Sequence, residues 1–250
     1  MKPGCYAFPW IGFPAPPPGR LARGRGPPQT AAMEPQTGTL PDRELILALP
    51  KTDLHLHLDG SLRLETLIDL ARSRKVALPS ESPEGLEELV FKRSYKSLVE
   101  YLEGFRYTTA VLQDPEALER AAYELALDNQ AEGVRYIEVR FAPQLHVHEG
   151  LDLGEVLLAV NRGLDRAKRE FNSQERIRTG QEPPFAYGLI LCALRFFTAA
   201  FSRVYQHFCS AHRYSDRFRV YALASLELAR AATAIRREHP ELPLVGFDLA

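Results

Sequence analysis

The chain has 250 residues, enough for one large domain or two small ones. Hydrophobic residues make up 45% and charged residues 25%, so most of the chain should fold around a sizeable core. The 31 Lys and Arg nearly balance the 32 Asp and Glu, and this balance gives no electrostatic reason to expect nucleic acid or an anionic membrane as a partner. The three cysteines lie far apart without a CxxC pair, and the longest apolar stretches are well short of the ~20 residues that span a bilayer. We therefore expect a soluble globular protein of the reducing cytoplasm.

The first 38 residues differ in composition from the rest and are predicted to be a disordered tail rich in Pro, Gly and Arg. Nine of the 19 prolines and five of the 16 glycines fall within residues 1–35, and no acidic residue precedes Glu34. So few apolar residues cannot bury enough surface to offset the entropy of ordering the chain. A start at Met33 and a genuine targeting or docking segment are the alternatives. Residues 39–250 form the predicted folded part.

Hydrophobic periodicity and turn residues predict alternating helices and strands from Leu40 onward. Asp114 is predicted to cap a helix that begins at Pro115, and Gly133 is predicted to end it. The predicted strands are Lys51–Asp59, Val134–Phe141, Tyr187–Ala193 and Leu244–Leu249. The other predicted elements are a helical turn at Leu45–Pro50, helices at Leu64–Arg74, Tyr95–Leu112, Asp152–Phe171, Ala199–Ala211 and Tyr221–Glu238, and loops at Pro79–Gly85 and Asn172–Pro184.

Four apolar strands separated by helices indicate an α/β fold with a parallel sheet whose faces are covered. A doubly wound sheet and a (β/α)8 barrel both give this pattern. Each strand carries a polar group toward its carboxyl end, including Arg140 in the second, Arg195 after the third and Asp248 in the fourth. Active sites lie at that end in both folds. The barrel is favoured because polar groups on the inward faces of consecutive strands can converge.

The first strand carries the clearest chemical signal, the sequence His55-x-His57. Residues two apart in a strand share a face, so both imidazoles can reach one metal ion. Asp53 and Asp59 lie on the same face, and the leucines between these residues are expected to face the outer helices. A pair of hydrogen-bonded core histidines is the alternative, although burying four polar groups together without a ligand is costly. Asp59 is interpreted as a substrate contact. The alternatives are that it supports a metal-binding histidine, or that it is only the first residue of the turn before Gly60.

The sequence PKTDLHLHLDGSL, residues 50–62, strongly resembles the opening strand of adenosine deaminases within the metal-dependent amidohydrolase superfamily. Three later blocks resemble the same family in the same order: YIEVRFAP at 136–143, LILCALR at 189–195 and LVGFDLA at 244–250. The resemblance implies a (β/α)8 TIM barrel, of which this chain holds about the first four β/α units. It also implies zinc-dependent hydrolytic deamination of adenosine to inosine and ammonia. Carried over, His55 and His57 are zinc ligands and Asp59 contacts the purine nucleoside.

The same resemblance implies groups that cannot be placed in these 250 residues. A third zinc-binding His and the groups that move protons belong to later strands of the family, so no catalytic residue is identified and those groups are expected beyond Ala250. A catalytic zinc site needs three protein ligands, so we expect weak zinc binding and no turnover by this chain alone. A complementary C-terminal half is a candidate partner. Deamination of adenine or another 6-aminopurine derivative, and a non-catalytic fragment, are the alternatives.

Several other residues are expected to stabilise the fold rather than to take part in the chemistry. His146 and His148 form a second HxH pair, but they follow a strand and are predicted to lie in a polar loop. Glu138 and Arg140 share a face and are predicted to form an ion pair inside the barrel. Cys192 is predicted to be a core residue, because no activating base is apparent.

Overall fold

The computed structural model describes residues 42–250, so the predicted tail of residues 1–38 lies outside the described residues. The four strands are β1 (Lys51–His57), β2 (Val134–Phe141), β3 (Ala186–Ala193) and β4 (Leu244–Leu249). The helices are α1 (Arg43–Ala48), α2 (Leu64–Arg74), α3 (Pro83–Leu89), α4 (Leu98–Val111), α5 (Pro115–Ala131), α6 (Leu153–Asn172), α7 (Glu175–Arg178), α8 (Arg203–Ala211) and α9 (Arg217–Glu238). A 3-10 turn, Pro143–Leu145, follows β2.

The four described strands form one parallel sheet, in the order in which they occur along the chain. Each strand is connected to the next by helices, which is the connectivity of consecutive β/α units. The pairing of β2 with β3 runs without interruption from Tyr136 opposite Ala186 to Phe141 opposite Leu191. The carboxyl ends of all four strands therefore meet at one edge of the sheet, which is where the polar residues of the sequence were expected to converge.

Short polar side chains fix where the helices begin. The Asp114 carboxylate accepts a hydrogen bond from the backbone N–H of Ala117, and Asp152 forms a capping box with Glu155 at the start of α6. The predicted loop Pro79–Gly85 is wrong at its end, because α3 begins inside it. Ser82 caps α3 by accepting from the backbone N–H of Gly85, and Pro83 takes the first helical position.

The first strand departs from simple alternation. Asp53 is opposite Ile137 and Leu56 is opposite Val139, so three steps along β1 match two steps along β2. This bulge shifts the side chains that precede it relative to the sheet. The expected leucine face is therefore wrong at Leu54, which is 55% exposed, although Leu58 beyond the strand is fully buried.

Most of the core lies between the sheet and the helices that pack on it, and α5 and α6 form its closest helix pair. Gly163 of α6 allows this approach. A Cβ atom at that position would lie 2.9 Å from the backbone nitrogen of Tyr123 and closer still to the carbonyl oxygen of Glu119. A smaller aromatic cluster forms beyond β3, where the rings of Phe197 and Tyr205 stack with centroids 4.1 Å apart. Within residues 42–250 no helix is long and apolar enough to cross a membrane.

Candidate metal and substrate site

The histidines of β1 lie side by side at the carboxyl end of the sheet. Nε2 of His55 and Nε2 of His57 are 3.4 Å apart, and the two rings are tilted by 49°. The Asp53 carboxylate accepts a hydrogen bond from the backbone N–H of His55. This bond stabilises the bulge of β1 directly before the histidine pair. The structure thus brings together the two side chains that the spacing predicts would share a face.

The distance between these nitrogens can be compared with the geometry of a metal site. Two nitrogen ligands at ~2.0–2.1 Å from one tetrahedral ion lie about 3.3 Å from each other. The 3.4 Å separation of the two Nε2 atoms therefore fits one shared ion. Across the described part of the chain, however, no group of three or more His, Cys, Asp or Glu side chains is placed to hold a metal. Two imidazole nitrogens are thus placed as a pair of metal ligands would be, and no third ligand accompanies them among the described residues.

Asp59 lies directly beyond the pair, in the turn that leaves β1. It is 5% exposed, its Oδ1 atom is 4.0 Å from Nδ1 of His57, and that oxygen has no hydrogen-bond partner among the described residues. Burial raises the pKa of the Asp59 carboxyl to about 6, against the opposing effect of hydrogen bonds from the backbone of Asp59 and Gly60. A buried oxygen without a partner has capacity to accept a hydrogen bond from a ligand.

Phe105 of α4 covers this turn from above. Its ring meets the His57 ring edge to face at a centroid distance of 6.3 Å. Its Cζ atom would be 3.3 Å from a Cβ at position 60, so Gly60 allows the ring to approach. Partial burial, with the positive charge of Arg140 and the neighbouring His55 ring, lowers the pKa of His57. The neutral form that metal binding needs is thereby favoured.

Arg140 connects the histidine pair to the other strands. Its Nη1 atom is 2.7 Å from Nδ1 of His55, and its guanidinium forms an ion pair with the Asp248 carboxylate of β4. The predicted ion pair of Arg140 with Glu138 is wrong. Glu138 instead accepts a hydrogen bond from the Tyr136 hydroxyl at 3.0 Å. The Arg140 guanidinium pairs with Asp248 of β4 instead, because the Asp248 carboxylate lies within reach of its side chain.

Cys192 lies between these partners, opposite Asp248 in the pairing of β3 with β4. It is 1% exposed and its thiol contacts Arg140. Burial raises the pKa of the thiol, so it stays protonated and unreactive. The prediction of a core residue is confirmed.

The second HxH pair lies in the loop after β2, as predicted, but the prediction that this loop is polar is wrong at His146. His146 is fully buried and Nδ1 of its ring donates to the Leu112 carbonyl oxygen at 2.8 Å. His148 donates from Nε2 to the Gln113 carbonyl oxygen at 2.9 Å. Both rings fasten the loop after β2 to the segment between α4 and α5.

Two features of the site were missed by sequence reasoning. The sequence did not indicate that Phe105 belongs to the site, because an aromatic residue on an amphipathic helix is ordinarily a core residue. The contact of Arg140 with His55 follows from the pairing of β1 with β2, which places Arg140 opposite His57. The sequence of either strand alone does not predict that pairing.

The family model described as Adenosine deaminase matches residues 50–240. The chain belongs to the adenosine deaminase family. Adenosine deaminase of Vibrio atlanticus is 44% identical over 126 residues, which are 50% of this chain and 38% of that enzyme. The chain thus spans well under two thirds of the length of this relative.

Several solved structures of deaminases and amidohydrolases show the same fold. Adenine deaminase of Arthrobacter aurescens has a TM-score of 0.54 at 23% identity, covering 80% of this chain and 48% of that one. Arabidopsis ADAL complexed with GMP gives 0.52 at 24% identity, with coverage of 83% and 51%. A Burkholderia ambifaria amidohydrolase with bound Zn gives 0.56 at 19% identity, with coverage of 86% and 48%. The predicted fold class is confirmed: the parallel β/α units are those of part of a deaminase barrel.

Proposed function

We propose that this chain supplies the first four β/α units of a deaminase that hydrolyses adenosine to inosine and ammonia. The observation that carries the proposal is the pair of imidazoles with Nε2 atoms 3.4 Å apart, at the carboxyl end of β1 in a chain of the adenosine deaminase family. His55 and His57 hold the zinc ion, and Asp59 contacts the nucleoside. The predicted C-terminal half supplies the remaining ligand and the groups that move protons.

Zinc bound there would supply a water molecule with a pKa lowered to about 7, ready to attack the purine carbon that bears the amino group. The chain's own residues have separate tasks around it. The rings of His55 and His57 present two nitrogens on the same side of the sheet edge. Phe105 covers the face of His57 and limits access of bulk water from the side of α4. The ion pair of Arg140 with Asp248 links β2 to β4 across β3, next to the histidine pair.

Asp59 is suited to hold a hydroxyl or N–H group of the substrate. Its unpartnered Oδ1 atom lies 4.0 Å from the ring nitrogen of His57, so a group bound to it sits next to the histidine pair. Replacing Asp59 with Asn removes the charge but retains an oxygen acceptor. We expect D59N to lower kcat/KM about tenfold, which corresponds to a hydrogen bond with a charged acceptor, mainly through KM.

The purine derivative is proposed to be adenosine, with adenine as the second candidate. The 44% identity to the Vibrio atlanticus adenosine deaminase favours the nucleoside. Adenine deaminase of Arthrobacter aurescens has the same fold, which keeps the free base under consideration. Arabidopsis ADAL has been solved in complex with GMP, so a nucleotide belongs among the compounds to compare.

The experiment is complementation. The chain is co-expressed with the C-terminal part of the Vibrio atlanticus enzyme, and adenosine, adenine and adenosine monophosphate are followed by the ultraviolet change on loss of the amino group. We expect no turnover by the chain alone and hydrolysis of adenosine by the complex. H57A should abolish that activity, whereas H148A, in the second HxH pair, should leave it within twofold. A stable complex that deaminates none of the three compounds would support the non-catalytic alternative.

A further inference from the structure

Residues 196–221, which lead from β3 into the first turn of α9, differ in composition from the rest of the chain. They include eight aromatic residues and four arginines, but no lysine, no glutamate and a single aspartate. That aspartate, Asp216, accepts hydrogen bonds from the backbone N–H groups of Phe218 and Arg219 at the start of α9. The arginines of this segment therefore meet little negative charge from their own part of the chain.

Four aromatic rings of the segment contact one another in a row at the surface. Phe201 meets Phe196 at a centroid distance of 6.0 Å, Phe196 meets Tyr221 at 5.9 Å, and Tyr221 meets Phe218 at 6.3 Å. The three phenylalanines are 53%, 45% and 63% exposed in chain order. They expose on the order of 300 Å² in all, since a Phe residue has about 200 Å² of surface. An apolar patch of that size on a protein surface commonly marks an interaction site.

Two arginines accompany this row of rings. Arg217 and Arg219 are exposed, and neither forms an ion pair with any of residues 42–250. The guanidinium carbon of Arg217 lies 5.0 Å from the centroid of the Phe218 ring. Protein interfaces are enriched in aromatic residues and arginine and depleted in lysine, so this composition favours a protein partner that offers carboxylates. The arginine surface consists of Phe196, Phe201, Arg217, Phe218 and Arg219.

The helices α3 and α4 carry the complementary charge. They lie next to each other, because a Cβ atom at Gly104 of α4 would be 3.1 Å from the aromatic ring that follows α3. Residues 83–103 hold five glutamates and three basic residues. Among the glutamates, Glu87, Glu88 and Glu103 are exposed and form no ion pair in the described part of the chain.

The first turns of α4 also expose large apolar side chains. Leu98 and Val99 are 70% and 72% exposed, and Leu102 is 48% exposed. Residues four apart share a helix face, so Leu98 stands beside Leu102 and Val99 stands beside Glu103. These three side chains expose about as much apolar surface as the phenylalanine row. The acidic surface consists of Glu87, Glu88, Leu98, Val99, Leu102 and Glu103.

We propose that the arginine surface of one copy of this chain binds the acidic surface of a second copy, and that two copies form a closed dimer through two such contacts. The arginines then face glutamates, and the phenylalanine rings cover leucine and valine side chains. Within one chain no hydrogen bond, ion pair or ring contact joins the two surfaces among residues 42–250, so both remain open to a second copy. Four apolar patches of about 300 Å² bury on the order of 1,200 Å², which is enough for a specific interface.

The experiment is sedimentation velocity of the whole 250-residue chain over a range of micromolar concentrations. At low salt we expect a species of twice the 28.2 kDa mass of the chain. Raising the salt concentration to 0.5 M or about that value should weaken the dimer about tenfold, because salt screens ion pairs at the rim of an interface.

Two charge reversals test the pairing of the surfaces. R217E/R219E and E87R/E88R should each be monomeric, and an equal mixture of the two should restore the dimer, because each reversed surface then faces a reversed partner. Both variants place charges that the helix dipole favours, acidic in the first turn of α9 and basic in the last turn of α3, so the fold should be retained. R236E/R237E is the matched control. It reverses two exposed arginines at the other end of α9 and should leave the dimer intact.

Restoration of the dimer in the mixture, with each variant monomeric alone, supports the proposal. A chain that is monomeric at low salt overturns it, as does a dimer that persists in either charge reversal. Species larger than a dimer overturn the closed arrangement. A monomer that sediments with phosphatidylserine vesicles, and fails to do so as R217E/R219E, also overturns the proposal and assigns the arginine surface to a membrane.

Discussion

His146 donates a hydrogen bond from Nδ1 to the carbonyl oxygen of Leu112 at 2.8 Å inside a fully buried site. The other ring nitrogen, Nε2, has no partner among the described residues. The ring is held neutral there, because burial lowers the pKa of His146 to about 4. A single buried imidazole thus fastens the loop after β2, next to the strand that carries Arg140.

This relationship predicts how stability depends on pH. The His146 pKa is about 4 in the folded chain and 6.5 in the unfolded one, so only the unfolded chain takes up a proton between those values. The free energy of unfolding should therefore fall as pH drops below 6.5, by about 2 kcal/mol between pH 7 and pH 5 from this residue. Urea denaturation at both pH values measures it. H146N keeps an N–H donor near the position of Nδ1 and does not titrate, so its pH dependence should be smaller by that amount. Equal pH dependence in the two proteins would contradict the neutral buried ring.

The close contact of α5 with α6 predicts a large effect of one methyl group. G163A would place Cβ within 2.9 Å of the backbone nitrogen of Tyr123, and a helix backbone cannot move away as a side chain can. We expect a loss of about 1–3 kcal/mol, typical of overpacking, although Ala is ordinarily the better helix former. G154A, in the first turn of the same helix, meets only the Asp152 carboxylate and should change stability by about 0.5 kcal/mol or less. Thermal unfolding that ranks the two variants equally would show that the helices can separate freely.

Asp114 has two roles that a pair of variants separates. It caps α5 by accepting from the backbone N–H of Ala117, and it forms an ion pair with Arg74 of α2. D114N keeps the cap and loses the charge, so we expect a cost of about 1 kcal/mol or less. D114A loses both the cap and the ion pair and should cost a further ~0.5–2 kcal/mol. Urea denaturation of both variants checks the order, and a D114N cost equal to that of D114A would assign the stabilisation to the ion pair alone.

The strands could be predicted from the sequence because β2, β3 and β4 are mostly apolar runs bounded by a turn or a cap, and β1 alternates leucines with polar residues. The predicted β2 and β4 agree with the structure at both ends, and the cap at Asp114 was correctly placed. The helix α3 was missed because seven residues give little periodicity, although Ser82 followed by Pro83 is a helix start.

The details of the site were harder to predict because they depend on partners distant in sequence. The bulge in β1 follows from its pairing with β2, and it exposes Leu54. The burial of His146 depends on the segment after α4, which the loop alone does not reveal. Arg140 forms its ion pair with Asp248 and not with Glu138, because the pairing of strands, rather than the spacing in the sequence, decides which carboxylate is near. The HxH pair was predictable because two residues of one strand fix its geometry.

The most direct test of the zinc site is the zinc content of the assembled protein. The chain is combined with the C-terminal part of the Vibrio atlanticus adenosine deaminase, purified by gel filtration, and analysed by inductively coupled plasma mass spectrometry. We predict one zinc ion per complex, lost in the double variant H55A/H57A and retained in H148A. Zinc that stays at one ion per complex in H55A/H57A would contradict the assignment of these two histidines as ligands.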